Sequence, residues 1–78
     1  MGDNKTMKTL SQIKKSDFLF YCKSRNYKYK DVTIIITFDR YNTKYVYTSK
    51  EIAISGFAYS ISELKNNIKY EYNNVIQN

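Results

Sequence analysis

The hydrophobic pattern of this chain changes period along its length, and the clearest alternation lies near its middle. In residues 31–39 apolar and polar positions alternate, which is the pattern of a β-strand with one buried face. Residues 39–43 are polar and contain Asp and Asn, which favour turns. The pattern therefore predicts a β-hairpin over about residues 28–49. The positions expected on its inner face are Val32, Ile34, Ile36 and Phe38.

The returning strand is expected over residues 44–48, with Val46 on the inner face. This phase places Tyr45 and Tyr47 on the opposite, solvent-facing side, together with Ile35. An exposed sheet face with aromatic side chains can stack bases or contact a protein partner. Pairs of Tyr with Thr or Ile across neighbouring strands also stabilise a sheet without any partner. Both interpretations stay open.

Helices are predicted on both sides of the hairpin. Over residues 10–25 the apolar positions fall within one wedge of a helical wheel, and Thr9 with Gln12 matches a capping box. Over residues 58–76 apolar positions recur every three or four residues, and Ser60 with Glu63 forms another capping box. The residues assigned to this second helical face are Phe57, Ile61, Leu64, Ile68, Tyr72 and Val75.

Residues 48–56 allow two structures. Residues 50–54 can form a third strand with Ile52 and Ile54 inward, or residues 48–51 can cap a short helix that ends at Gly56. In the second case, residues 49–53 followed by residues 60–68 resemble a bacterial helix-turn-helix of the LuxR type, with one residue of difference in the turn. That resemblance implies a transcriptional regulator whose last helix presents its polar side to DNA.

We therefore predict a single small α+β domain over residues 9–78, preceded by a flexible tail over residues 1–8. The expected order is α-β-β-(β)-α, with an antiparallel hairpin or three-stranded sheet packed against two helices. A chain of 78 residues is close to the size at which one hydrophobic core just suffices for folding. A homodimer that buries part of the tyrosine surface is therefore also expected.

The residue types present exclude several kinds of chemistry. Histidine is absent and Cys22 is the single cysteine, which argues against histidine-based catalysis, a zinc site and an intrachain disulfide. The sequence has no Gly-rich phosphate loop, and its acidic residues are scattered. We therefore expect no enzymatic activity, no cofactor and no metal. The lone cysteine and the absence of a long apolar stretch favour a reducing, cytoplasmic location without membrane contact.

The charge balance points to a polyanionic partner. Thirteen Lys and Arg residues against seven Asp and Glu residues give a formal net charge of +6. A basic surface with tyrosines makes nucleic acid, or a complex that handles it, the first hypothesis. The candidate partner-binding residues are Lys28, Lys30, Ile35, Arg40, Tyr41, Lys44, Tyr45, Tyr47, Lys65 and Lys69.

A second hypothesis assigns the exposed tyrosines to a protein partner. The small size and the abundance of residues with A/T-rich codons suggest an inhibitor or adaptor of the kind that phages and mobile elements carry. Such a protein would dock on a host protein, and a tyrosine-rich surface with few arginines suits that role.

Overall fold

In the computed structural model, residues 7–18 and 24–77 are described, and they form a four-stranded antiparallel sheet covered by one long helix. Two 3₁₀ turns, Leu10–Gln12 and Lys15–Phe18, precede the sheet. The predicted α+β class agrees with this arrangement, but the predicted order and the two helices do not. The elements that follow the 3₁₀ turns are β1 (Arg25–Tyr29), β2 (Val32–Asp39), β3 (Lys44–Ser49), β4 (Ser55–Ala58) and helix α1 (Ile61–Gln77).

Short connections make each strand pair with the next one along the chain. The sheet order is β1-β2-β3-β4, and all three pairs are antiparallel. Only Lys30 and Asp31 lie between β1 and β2, and Lys30 has a φ of 54°, in the left-handed region that tight hairpin turns require. The two predicted strands are therefore β2 and β3, the central pair of a four-stranded meander.

The loop between β2 and β3 determines which side chains of β3 reach the core. The Asp39 carboxylate accepts hydrogen bonds from the backbone N–H groups of Tyr41 and Asn42, and Asp39 pairs with Lys44. The loop therefore has four residues, one fewer than the sequence pattern suggested. Because side chains alternate between the two faces of a sheet, a shift of one residue in the pairing register moves every side chain of the strand to the opposite face.

The predicted orientation of β3 is wrong for this reason. Tyr45 and Tyr47 pair with Phe38 and Ile36 and lie in the core, with 4% and 2% of their surfaces exposed. Val46 points outward and is 39% exposed. The inner face predicted for β2 is confirmed, since Ile34 and Ile36 are fully buried.

The predicted first helix is wrong within the described residues. Residues 10–18 contain the two 3₁₀ turns, and Arg25, the last residue of the predicted helix, is the first residue of β1. Residues 19–23 of the prediction, with Cys22 among them, lie outside the described residues. The backbone N–H of Lys28 donates to the carbonyl of Lys8 at 2.8 Å, so the N-terminal segment runs beside the edge of β1.

Asp17 attaches this N-terminal segment to the sheet. Its carboxylate accepts hydrogen bonds from the Tyr27 hydroxyl at 2.8 Å, the Lys8 ammonium at 3.0 Å and the Lys14 backbone N–H at 3.2 Å. Burial alone would raise the pKa of Asp17, but the hydrogen bonds from Tyr27 and Lys8 outweigh it and lower that pKa below the ordinary value. Burial and the same hydrogen bond raise the pKa of the Tyr27 phenol.

The segment before α1 matches neither alternative that the sequence allowed. Residues 50–53 form bends, and the strand β4 begins at Ser55, after the stretch expected to contain it. Ile54 is buried and Ile52 packs against the core, as the strand alternative expected for their side chains. Since residues 49–58 contain no helix, the helix-turn-helix interpretation is wrong.

Helix α1 confirms the predicted second helix, although it begins at Ile61. The Ser60 hydroxyl accepts a hydrogen bond from the Glu63 backbone N–H at 3.1 Å, which caps the first turn. Leu64, Ile68 and Tyr72 form the buried stripe. Phe57 does not belong to this face, because it lies in β4 and points away from the helix.

Gly56 provides space for the ring of Tyr47. A Cβ atom at Gly56 would lie 2.6 Å from the Tyr47 hydroxyl oxygen and 2.9 Å from the ring carbon that bears it. The Tyr47 ring is buried and its hydroxyl donates to Glu71, so it has little room to shift. We expect Gly56→Ala to lower the free energy of unfolding by about 1–3 kcal/mol in urea denaturation. Ser55→Ala, at an exposed neighbouring position, is the control and should change the free energy of unfolding by less than about 0.5 kcal/mol.

The contact between Tyr27 and Asp17 predicts a pH-dependent stability difference. A carboxyl whose folded-state pKa is depressed stabilises the fold above its unfolded pKa of about 4, and this contribution is lost as pH falls through the folded-state value. Tyr27→Phe should therefore lower the free energy of unfolding by about 1–2 kcal/mol at pH 7. The gap between variant and parent should narrow as the pH falls below about 4. Urea denaturation at several pH values measures this difference in the free energy of unfolding. The control is Tyr41→Phe, because Tyr41 is fully exposed. A difference that does not change with pH would contradict a stabilising hydrogen bond between Tyr27 and Asp17.

Candidate functional site

Four of the predicted lysines line one cleft at an edge of the molecule. The cleft has a volume of about 340 Å³ and lies where the turn Leu10–Gln12, the end of β1 and helix α1 meet. None of the described residues that line it is acidic. We call this site the lysine cleft, and its lining residues are Thr9, Leu10, Ser11, Lys28, Tyr29, Lys30, Lys65 and Lys69.

The fold brings these lysines together from distant parts of the sequence. Lys65 and Lys69 are four residues apart on α1, so they lie on one side of the helix. Lys28 is in β1 and Lys30 is in the turn that follows it. The bridge between Thr9 and Lys28 brings the hydroxyl-bearing residues of the N-terminal segment to the same place.

The four ammonium groups differ in what they already contact. Lys65 donates a hydrogen bond to the carbonyl of Ser11 at 3.2 Å. The Lys30 nitrogen lies 5.7 Å from the ring centre of Tyr29 and 5.4 Å from that of Tyr72, within the range of cation–π attraction. Within the described part of the chain, the ammonium groups of Lys28 and Lys69 have no hydrogen-bond or ion-pair partner. Lys69 lies on α1 beside Lys65, whereas Lys28 alternates along β1 with Tyr27 and Tyr29, so Lys69 is the cation of the cleft that is available to an anionic ligand.

The described carboxylates are used for bonds elsewhere in the fold and do not line the cleft. Asp31 accepts a hydrogen bond from the Tyr72 hydroxyl at 2.9 Å, and this bond, with burial, raises the pKa of that phenol. Glu63 accepts one from the Tyr59 backbone N–H at 2.9 Å. Hydrogen bonds from the Thr33 backbone lower the pKa of Glu51. The acidic side chains thus stabilise turns and tyrosines, while lysines supply the charge of the cleft.

The face of the sheet that points away from α1 carries a second group of exposed residues. No helix of the described chain packs on this outer face. Phe57 of β4 is 48% exposed and lies beside Val46 of β3, and Ile35 of β2 is half-buried on the same side. The Lys44 nitrogen lies 4.3 Å from the ring centre of Phe57. The outer face therefore carries three apolar side chains, Ile35, Val46 and Phe57, among mostly polar ones, and Lys44 lies over the ring of Phe57.

The tip of the β2–β3 hairpin adjoins the outer face. Tyr41 is fully exposed there, and Arg40 is its neighbour in the loop. Both residues line an open depression with Phe38 and Val46. The tip adds one aromatic and one cationic side chain to this side of the molecule.

The predicted site residues thus fall into three groups and do not form one surface. Lys28, Lys30, Lys65 and Lys69 share the lysine cleft. Ile35, Lys44 and the tip residues lie on or beside the outer face. Tyr45 and Tyr47 are core residues, and burial raises the pKa of both phenols, with the Tyr47 hydroxyl also bound to Glu71.

Sequence reasoning missed several residues of these two surfaces. Phe57 was assigned to the helix because it precedes Ile61 by four residues. Alternation over residues 54–58, with Ile54 and Ala58 inward, was the signal that could have placed it on a strand. Thr9, Ser11 and Tyr29 in the cleft had no sequence signal, because their position depends on how the N-terminal segment packs on β1.

Comparisons with protein-family models, with curated proteins and with solved structures find no match. Among the residues that the structure describes, no three His, Cys, Asp or Glu side chains are placed to share a metal ion. None of the described helices combines the length and hydrophobicity that crossing a bilayer requires.

Proposed function

We propose that this chain is a small non-enzymatic protein that binds nucleic acid, alone or within a complex that handles it, through phosphate contacts in the lysine cleft. The observation that supports this function best is the convergence of Lys28, Lys30, Lys65 and Lys69 on one cleft without a described acidic lining residue. The proposed setting is a cytoplasmic, reducing compartment.

The composition of the cleft indicates what kind of contact it makes. Lysine binds phosphate as a flexible point charge, whereas the planar group of arginine suits the edges of bases. No arginine is among the described lining residues. Contacts to phosphate set affinity and position but carry little sequence information. We therefore expect binding that depends strongly on salt and weakly on base sequence.

A salt series tests this function. Labelled single-stranded DNA, RNA and duplex DNA are titrated with the protein, and the logarithm of the binding constant should fall linearly with the logarithm of salt concentration. In Lys65→Gln/Lys69→Gln, two cations of the cleft are removed. The slope for single strands should then decrease by about 0.7 for one shared phosphate and by about 1.4 for two separate phosphates, since each neutralised phosphate contributes about 0.7.

The matched control removes the same charge elsewhere. Lys14 and Lys50 are exposed and do not line the cleft, so Lys14→Gln/Lys50→Gln should change the slope much less. Equal effects of the two double variants would show that binding follows net charge and not the cleft. No binding by the parent protein at low salt would contradict the proposed function.

A second candidate function is binding of a host protein by the outer face, in the manner of a phage or mobile-element inhibitor or adaptor. The supporting observation is the exposed apolar side chain of Phe57, with Val46 beside it and Tyr41 at the adjoining hairpin tip. Such aromatic anchors are typical of protein interfaces. The homodimer expected from the small size stays a prediction.

A further inference from the structure

We infer that the lysine cleft binds one nucleoside phosphate unit, with the phosphate on the lysines and the nucleoside against its apolar wall. This inference rests on the proposed function and names the ligand of the same site. Its first support is size. A volume of about 340 Å³ is at the lower end of small-molecule pockets, which suits one compact ligand better than a length of duplex.

The lining of the cleft combines three chemical types that a nucleoside phosphate would match together. The half-buried Tyr29 supplies an aromatic wall, whereas Leu10 lines the cleft with only 2% of its surface exposed. Thr9 and Ser11 supply two hydroxyl groups that are hydrogen-bonded to each other at 2.9 Å, so one of them can still donate to a sugar and both can accept from it. The lysines supply the positive charge. Inorganic phosphate would leave the wall unused, and a duplex backbone would present phosphates while keeping its bases stacked inside.

The aromatic wall is held in place before any ligand arrives. The rings of Tyr29 and Tyr72 pack edge to face with their centres 5.0 Å apart, and the Tyr72 hydroxyl is bound to Asp31. Lys30 lies within cation–π distance of both rings. Because this ring is already fixed, it loses little conformational entropy when a base packs against it, and the affinity for the ligand is higher.

The polar groups of the cleft are also partly arranged for a phosphate. The bond from Lys65 to the Ser11 carbonyl draws α1 and the N-terminal turn together around the cleft. Lys69, which lies one helical turn further on, makes no hydrogen bond or ion pair with the described residues. We therefore expect Lys69 to contribute the strongest new contact to the phosphate.

The same chemistry could come from a free nucleotide or from the terminal nucleotide of a strand. Calorimetry with the full chain separates these sources. The probes are adenosine 5′-monophosphate, adenosine, inorganic phosphate, and one single-stranded oligonucleotide with and without a 5′-phosphate. The inference expects the monophosphate to bind at least about tenfold more tightly than adenosine or phosphate. If the natural ligand is the terminal nucleotide of a strand, the protein also binds the 5′-phosphorylated oligonucleotide more tightly than the unphosphorylated one. If the ligand is a free nucleotide, the two oligonucleotides bind equally.

Two variants locate the binding. Lys69→Gln changes an exposed side chain and should weaken monophosphate binding about tenfold while the amide spectrum stays that of the folded protein. Tyr29→Leu keeps an apolar wall but removes the aromatic face, and it should weaken the monophosphate more than inorganic phosphate. Tyr59→Leu, at an exposed tyrosine outside the cleft, should have no effect.

The outcomes distinguish this inference from the proposed function. Oligonucleotide binding that needs the cleft lysines, without any monophosphate binding, would overturn the inference and leave the proposed function standing. Equal affinity for inorganic phosphate and the monophosphate would also overturn it. Failure of every probe, strands included, would contradict both.

Discussion

The pairing of β2 with β3 is the constraint on which the rest of the structure depends. Asp39 holds a four-residue loop through its bonds to the backbone of Tyr41 and Asn42, and this loop length places Tyr45 and Tyr47 opposite Phe38 and Ile36. Four large side chains then share the inner face, where Phe18 packs on Tyr45 and the Tyr47 hydroxyl donates to Glu71 of α1. A loop longer by one residue would turn both tyrosines to solvent and bring the smaller Val46 into the core.

Tyrosine therefore has a structural task in this small domain. A large ring buries much apolar area in a short chain, and its hydroxyl can reach an acceptor at the border of the core. Tyr27, Tyr47 and Tyr72 donate to Asp17, Glu71 and Asp31, respectively. Carboxylates used in this way do not line the lysine cleft. The arrangement that stabilises the core thus also leaves one edge of the molecule positively charged.

The sequence correctly predicted the features that depend on local periodicity. Its predictions were wrong for features that depend on tertiary contacts. The inner face of β2 and the stripe of α1 follow from spacing alone. The N-terminal helix failed because Asp17 bonds to Tyr27 and Lys8, contacts that no local pattern shows. Four cleft lysines were chosen for their charge, but that they meet around Tyr29 depends on the tertiary fold. Tyr45 and Tyr47 were assigned to the wrong face of the sheet because the hairpin register differs by one residue.

The register itself is what a single measurement can test most directly. Nuclear Overhauser effects between β2 and β3 report which residues face each other, whatever the protein binds. The structure predicts cross-strand contacts for the pairs Ile36–Tyr47 and Phe38–Tyr45, and contacts from the Tyr47 ring to α1. Contacts that instead pair Phe38 with Lys44 and place Val46 in the core would contradict the arrangement. Tyr45 and Tyr47 would then be surface residues, and the outer face would have to be assigned anew.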